Sequence, residues 1–244
     1  MSSKEINLLS ISLKQYFYKL KAHTGLVNRL IVTQIIALLF SFGGVSSMGS
    51  GNGELSVSVK TYSASMVIVF SLVWVTIVAI FLTTKQYKKM EMPLVGNRVS
   101  GNLSDVGFLM TTSVFAGITS SLVGVLLRVI MYFTFDRTKI VYDGFLLTFS
   151  DLLLGMVVAI LYMSLVSAMG YLIGVLAQVN KAFVILIPAV IFGSLKIYTG
   201  LAQSIVEFYV VDVSFPLFAL KVIITSVILF GVSILFSNSM EVNQ

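Results

Sequence analysis

Of the 244 residues in the chain, 57% belong to the apolar set AVILMFWYC and 11% are charged, sixteen basic and ten acidic. A soluble domain carries about 25% charged residues, so this composition cannot coat a water-facing surface and excludes a cytosolic enzyme or nucleic-acid binder. A mean hydropathy of +1.01 points to the membrane. Crossing about 30 Å of hydrocarbon takes about 20 helical residues, so six spans would consume roughly half the chain and leave little for a separate soluble domain.

The net charge of +6 is concentrated at the N-terminus and in one loop, where it suits anionic lipid headgroups. The chain has no cysteine, which excludes disulfides and thiolate metal sites. Lys4, Lys14, Lys19 and Lys21 interrupt the first 25 residues before any continuous apolar run, unlike a cleavable signal peptide.

Residues 1–29 read as an interfacial elbow. Ile6, Leu9, Leu13, Tyr16, Phe17 and Leu20 share an arc of about 100°, with Lys14, Lys19 and Lys21 beside or opposite it, as in a helix lying on the inner leaflet. The first span is expected from Leu30 to about Ser47. The Gly- and Ser-rich MGSGNGELSVSVK that follows reads as a flexible connection. The second span runs from Ala64 to Thr84.

The next segment, 85–106, KQYKKMEMPLVGNRVSGNLSDV, is the most polar stretch after the N-terminus. Pro93 would end an extension of the second span, and Asn97, Ser100 or Asn102 could cap a helix ahead of the third. It reads either as an ordinary positive-inside loop or, because its mixed charge exceeds what topology needs, as a docking element for a cytoplasmic partner. The third span is expected over Gly107–Leu127, continuing past Arg128 to Phe135, and the fourth within Phe145–Leu176. The fifth starts at Ala182 and extends past Lys196, whose side chain would snorkel. The apolar but interrupted 197–214 reads as an outer re-entrant hairpin or interfacial helices, and the last span covers about Phe215–Phe236.

Lysine and arginine are enriched in cytoplasmic loops. With six spans and both termini inside, ten of the sixteen fall inside, from Lys4 to Arg29, at Lys85, Lys88, Lys89 and Arg98, and at Lys181. Arg128, Asp151 and Lys221 are expected where hydrocarbon lies. Arg128 falls near the outer interface and the other two about 9 Å in, so an intramembrane charge pair between Asp151 and Lys221 or Arg128 is expected. Small residues at four-residue spacing, among them Thr112, Ala116, Ser120 and Gly124, and the pair Gly170 and Gly174, suit close helix packing.

No P-loop sequence occurs. Gly49, Gly51 and Gly53 lack a following lysine–serine pair, so ATP energy would have to come from another subunit. His23 is the only histidine, which excludes an HExxH zinc site and a Ser-His-Asp triad. Asp151 stands alone, so no intramembrane carboxylate pair is available for an aspartyl protease. No catalytic constellation is found, and no metal or cofactor of the chain's own is expected.

Six spans, a basic amphipathic elbow, a long inner loop between spans two and three and a broken apolar outer segment before the sixth resemble the permease subunit of type-2 ATP-binding-cassette exporters. The most specific stretch is TTKQYKKMEMPLVGNRVSGNLSDVGFLM, residues 83–110, which looks like that family's coupling-helix loop. The resemblance implies an all-α membrane protein, a single permease domain over 1–244, multi-pass in the cell membrane. It further implies that Glu91, Asn97, Arg98, Asn102 and Asp105 couple to an ATPase. Its partners would be two ATPase subunits carrying ATP and Mg, a second permease copy or paralogue, and membrane lipids. Its substrate would be exported, an amphipathic or antimicrobial peptide being the class suggested by the chain's small size. The alternative is a six-span scaffold or anchor of a sensory or assembly complex that transports nothing.

Overall fold

The computed structural model describes residues 8–43, 46–52, 55–61, 63–91, 98–134, 148–179, 199–209 and 214–239, with single positions between 182 and 193. Most of these residues are helical. Helix α1 (Leu8–Ala22) turns through 55° at His23 and Thr24 into α2 (Gly25–Ser41). Strands β1 (Ser46–Asn52) and β2 (Leu55–Thr61) follow, then α3 (Ser65–Thr83) and the short α4 (Lys85–Glu91). The remaining described helices are α5 (Arg98–Thr134), α6 (Phe149–Val179), α7 (Thr199–Tyr209) and α8 (Phe215–Ser239).

Among the described residues four helices are long and apolar enough to cross a membrane. They lie in α3, α5, α6 and α8, and a fifth arises if the bent pair α1 and α2 counts as one span. The expected first span is shorter than its apolar run, because α2 ends at Ser41. The expected fifth span lies almost wholly outside the described residues. Of the expected outer hairpin, only α7 is described.

The 48–60 segment is a correction. It is an antiparallel hairpin in which Ser46 faces Thr61 and Asn52 faces Leu55. Leu55, Val57 and Val59 alternate with Ser56, Ser58 and Lys60, the period of a strand, while the glycines of the first strand made the segment look merely loose.

Helix α6 is the centre of the bundle: α3, α5 and α8 all pack on it, α2 leans on α3 and α5, and α1 lies along α5. The core runs from Leu30 through Trp74, Val78 and Leu82 to Leu109, Ala116, Met163, Tyr171, Val175 and Phe230. Close approach is purchased with glycine. A Cβ on Gly117 would stand 2.6 Å from Ile160 Cγ1 of α6, and one on Gly170 would stand 3.1 Å from Ala79 Cβ of α3. Outward faces are apolar, with Val69, Val73 and Ile77 on α3, Leu122 and Leu126 on α5, and Ile223 and Val227 on α8 exposed.

Two features set the end of the bundle where α1, α4 and the start of α5 meet. Thr84 leaves α3 in an extended conformation, and its hydroxyl accepts the Tyr87 N–H at 3.4 Å, which starts α4 as an N-cap would. Helix α5 is also longer than its apolar run. Its 37 residues span about 55 Å, well beyond about 30 Å of hydrocarbon, so the polar residues before Gly107 form helix rather than loop. Ser100 and Asn102 therefore sit inside the first turns of α5 instead of capping it, and Asn97 is outside the described residues.

Candidate functional site

Helix α1 is oriented with its polar stripe inward. Ser12, Gln15 and Lys19, spaced three and four residues apart, are buried, while Leu9, Leu13 and Phe17 are exposed. Tyr16 and Leu20 pack against the core, and polar contacts add to this hold on α5. The Tyr16 hydroxyl and Thr111 Oγ1 are hydrogen-bonded at 2.8 Å, and the Lys19 ammonium forms an ion pair with the Asp105 carboxylate. Both side chains of that pair are 3% exposed. At this burial the desolvation cost is repaid only where further hydrogen bonds complete the site.

Those bonds are present. Lys19 Nζ also donates to Gly101 O at 3.4 Å and stands 5.9 Å above the Tyr87 ring, while the Tyr171 hydroxyl of α6 donates to Asp105 Oδ2 at 3.3 Å. The same hydroxyl lies 3.2 Å from Asn102 Oδ1. Asn102 Nδ2 donates to Ser237 Oγ at the end of α8 at 3.0 Å, and Lys88 Nζ of α4 reaches Asn102 Oδ1 and Ser237 Oγ, each at 3.4 Å. One cluster thus joins α1, α4, α5, α6 and α8. Beside it, His23 Nε2 and Tyr87 OH are hydrogen-bonded at 2.9 Å, with the Phe108 ring edge-on to the imidazole. Gln178 donates to Thr83 O, tying α6 to the end of α3.

The sequence-predicted coupling residues divide. Asn102 and Asp105 are buried in this cluster and face other helices of the same chain. Glu91 closes α4 and Arg98 opens α5, at the two ends of the intervening segment, and Asn97 lies outside the described residues.

The three expected intramembrane charges lie on three different helices. Asp151 is exposed in the first turn of α6, where a carboxylate is favoured by the helix dipole. Lys221, two turns into α8, donates to Phe208 O at the end of α7 at 2.7 Å, with its ammonium 4.2 Å from the centre of the Phe208 ring. Among the described residues no ion pair joins Asp151 to Lys221, whose ammonium is engaged by that backbone carbonyl near the end of α7. Arg128 is half-buried in α5.

Sequence reasoning missed the Lys19–Asp105 pair because the apolar stripe of α1 drew attention and Lys19 looked like one more headgroup contact. The usable signal was the second, polar stripe of Ser12, Gln15 and Lys19, together with a carboxylate placed just before an apolar span. No protein-family model, curated protein or solved structure matches the chain.

Proposed function

We propose that the chain is the membrane-spanning permease subunit of a type-2 ATP-binding-cassette exporter, with both termini cytoplasmic and the 85–106 segment docked on a separate ATPase. The observation that carries this reading is the cluster just described. It connects the segment between α3 and α5 to the elbow α1, to α6 and to the end of α8, which is the mechanical path an ATP-driven permease needs from a docking surface into its spans. Four or five apolar helices and the lack of any P-loop sequence agree with a transport subunit whose ATP and Mg are bound by partner chains.

In this reading two permeases, as copies or paralogues, associate with two ATPases. Closure of the ATPases on ATP brings the docking segments together, and the bundles expel an amphipathic substrate, an antimicrobial peptide being the first class to assay. The exposed apolar faces of α2, α3, α5 and α8 supply the surfaces toward lipid and toward the second permease.

Affinity purification of the tagged full-length chain from its own membrane in mild detergent tests the proposal. The expected result is a copurifying ATPase with vanadate-sensitive activity, which is lost when Glu91→Lys and Arg98→Glu are combined. If the unaltered chain retains no ATPase, the exporter reading fails and the anchor or scaffold reading replaces it.

A further inference from the structure

We propose that α1, α4 and the first two turns of α5 move as one rigid body, with Lys19 and Asp105 as its positioning residues, so that motion imposed on the 85–106 segment is delivered directly to α1. The inference rests on the exporter reading only for the identity of what pushes on that segment. Hydrophobic burial fixes α1 only in part, because Tyr16 and Leu20 pack against the core while Leu9, Leu13 and Phe17 face away from the bundle. Burial is non-directional and would let α1 slide along α5. A buried ion pair flanked by hydrogen bonds has one geometry, and separating its members in a low-dielectric site leaves two uncompensated charges.

Two breaks in the helical path lie just outside this body. The chain bends by 55° at His23 and Thr24 between α1 and α2, and it is extended at Thr84 between α3 and α4. The His23–Tyr87 hydrogen bond joins these two bends at 2.9 Å, so they are constrained to flex together. Toward the spans, the body is attached through Tyr171 of α6 and Ser237 of α8, both bonded to Asn102. Lys19 and Asp105 thus hold α1 in register with the segment that receives the push.

The chain has no cysteine, so spin labels can be placed without background. One pair, Lys14→Cys with Lys85→Cys, lies within the proposed body. A second pair, Lys14→Cys with Ile35→Cys, crosses the bend into α2, and all three positions are exposed. In the complex with its ATPase, trapping with ATP and vanadate is expected to leave the 14–85 distance unchanged and to shift the 14–35 distance. Equal shifts in both pairs overturn the proposal.

If no ATPase is retained, the exporter reading has failed, and the rigid body is tested in the isolated chain. There the 14–85 distribution is expected to be narrow and to broaden about twofold or more in the doubly neutral variant Lys19→Met with Asp105→Asn. A distribution already broad in the unaltered chain, or one equally narrow in the variant, overturns the inference. Should the variant not fold, the unaltered chain's own width decides.

Discussion

Removing one member of the Lys19–Asp105 pair should damage the protein far more than removing both. Lys19→Met leaves the Asp105 carboxylate, 3% exposed, with the Tyr171 hydroxyl 3.3 Å from Oδ2 in place of an ammonium. Asp105→Asn leaves the Lys19 ammonium beside Gly101 O at 3.4 Å, a long bond for a cation. Breaking a buried pair on one side costs about 3–5 kcal/mol, whereas replacing both members by neutral groups of similar shape is often close to neutral. At about 2–4 °C per kcal/mol for a chain of this length, each single variant should lower the midpoint of thermal unfolding by on the order of 10 °C. The double variant should lie within a few degrees of the unaltered protein. The assay is intrinsic fluorescence of the single tryptophan, Trp74, which sits in the core, followed during heating in detergent. Additive losses in the double variant would refute the account, since additivity means the two residues do not interact.

Glycine packing gives a second contrast. Gly117→Ala should cost about 1–3 kcal/mol because its methyl would meet Ile160 of α6 at 2.6 Å. Gly155→Ala, with nothing within 4 Å of the added methyl, should be neutral or slightly stabilising, by up to about 1 kcal/mol. The same thermal assay separates the two. At the far end of the bundle, Lys221→Met should loosen α7, which loses the ammonium bonded to Phe208 O. Faster amide hydrogen exchange over residues 199–209 is expected, and Lys221→Arg should keep most of the protection. Unchanged exchange in Lys221→Met would show that α7 is held otherwise.

The spans were legible where apolar runs were long and unbroken. Ala64–Thr84 was expected and α3 covers Ser65–Thr83; Phe215–Phe236 was expected and α8 covers Phe215–Ser239. Hydrocarbon leaves a helix as the economical way to satisfy every backbone polar group in such a run, so composition suffices there. It does not suffice at the start of α5, where Asn102 and Asp105 read as loop residues. Their burial depends on Lys19, Lys88, Tyr171 and Ser237, partners that lie between 14 and 135 residues away and that no local pattern reports. Lys221 shows the same gap in reverse. Its charge was visible in the sequence, but its partner is a main-chain carbonyl, which every residue possesses.

Helix α5 has one more consequence. Its 37 residues run without a proline from Arg98 to Thr134. A beam about 55 Å long that rocks by roughly 10° about its middle carries each end through about 5 Å, close to one helical turn. Gly117, seated against Ile160 near the middle, is placed as a fulcrum. A displacement at either end can therefore appear at the other, in the opposite sense and at about the same size, without the helix having to unwind.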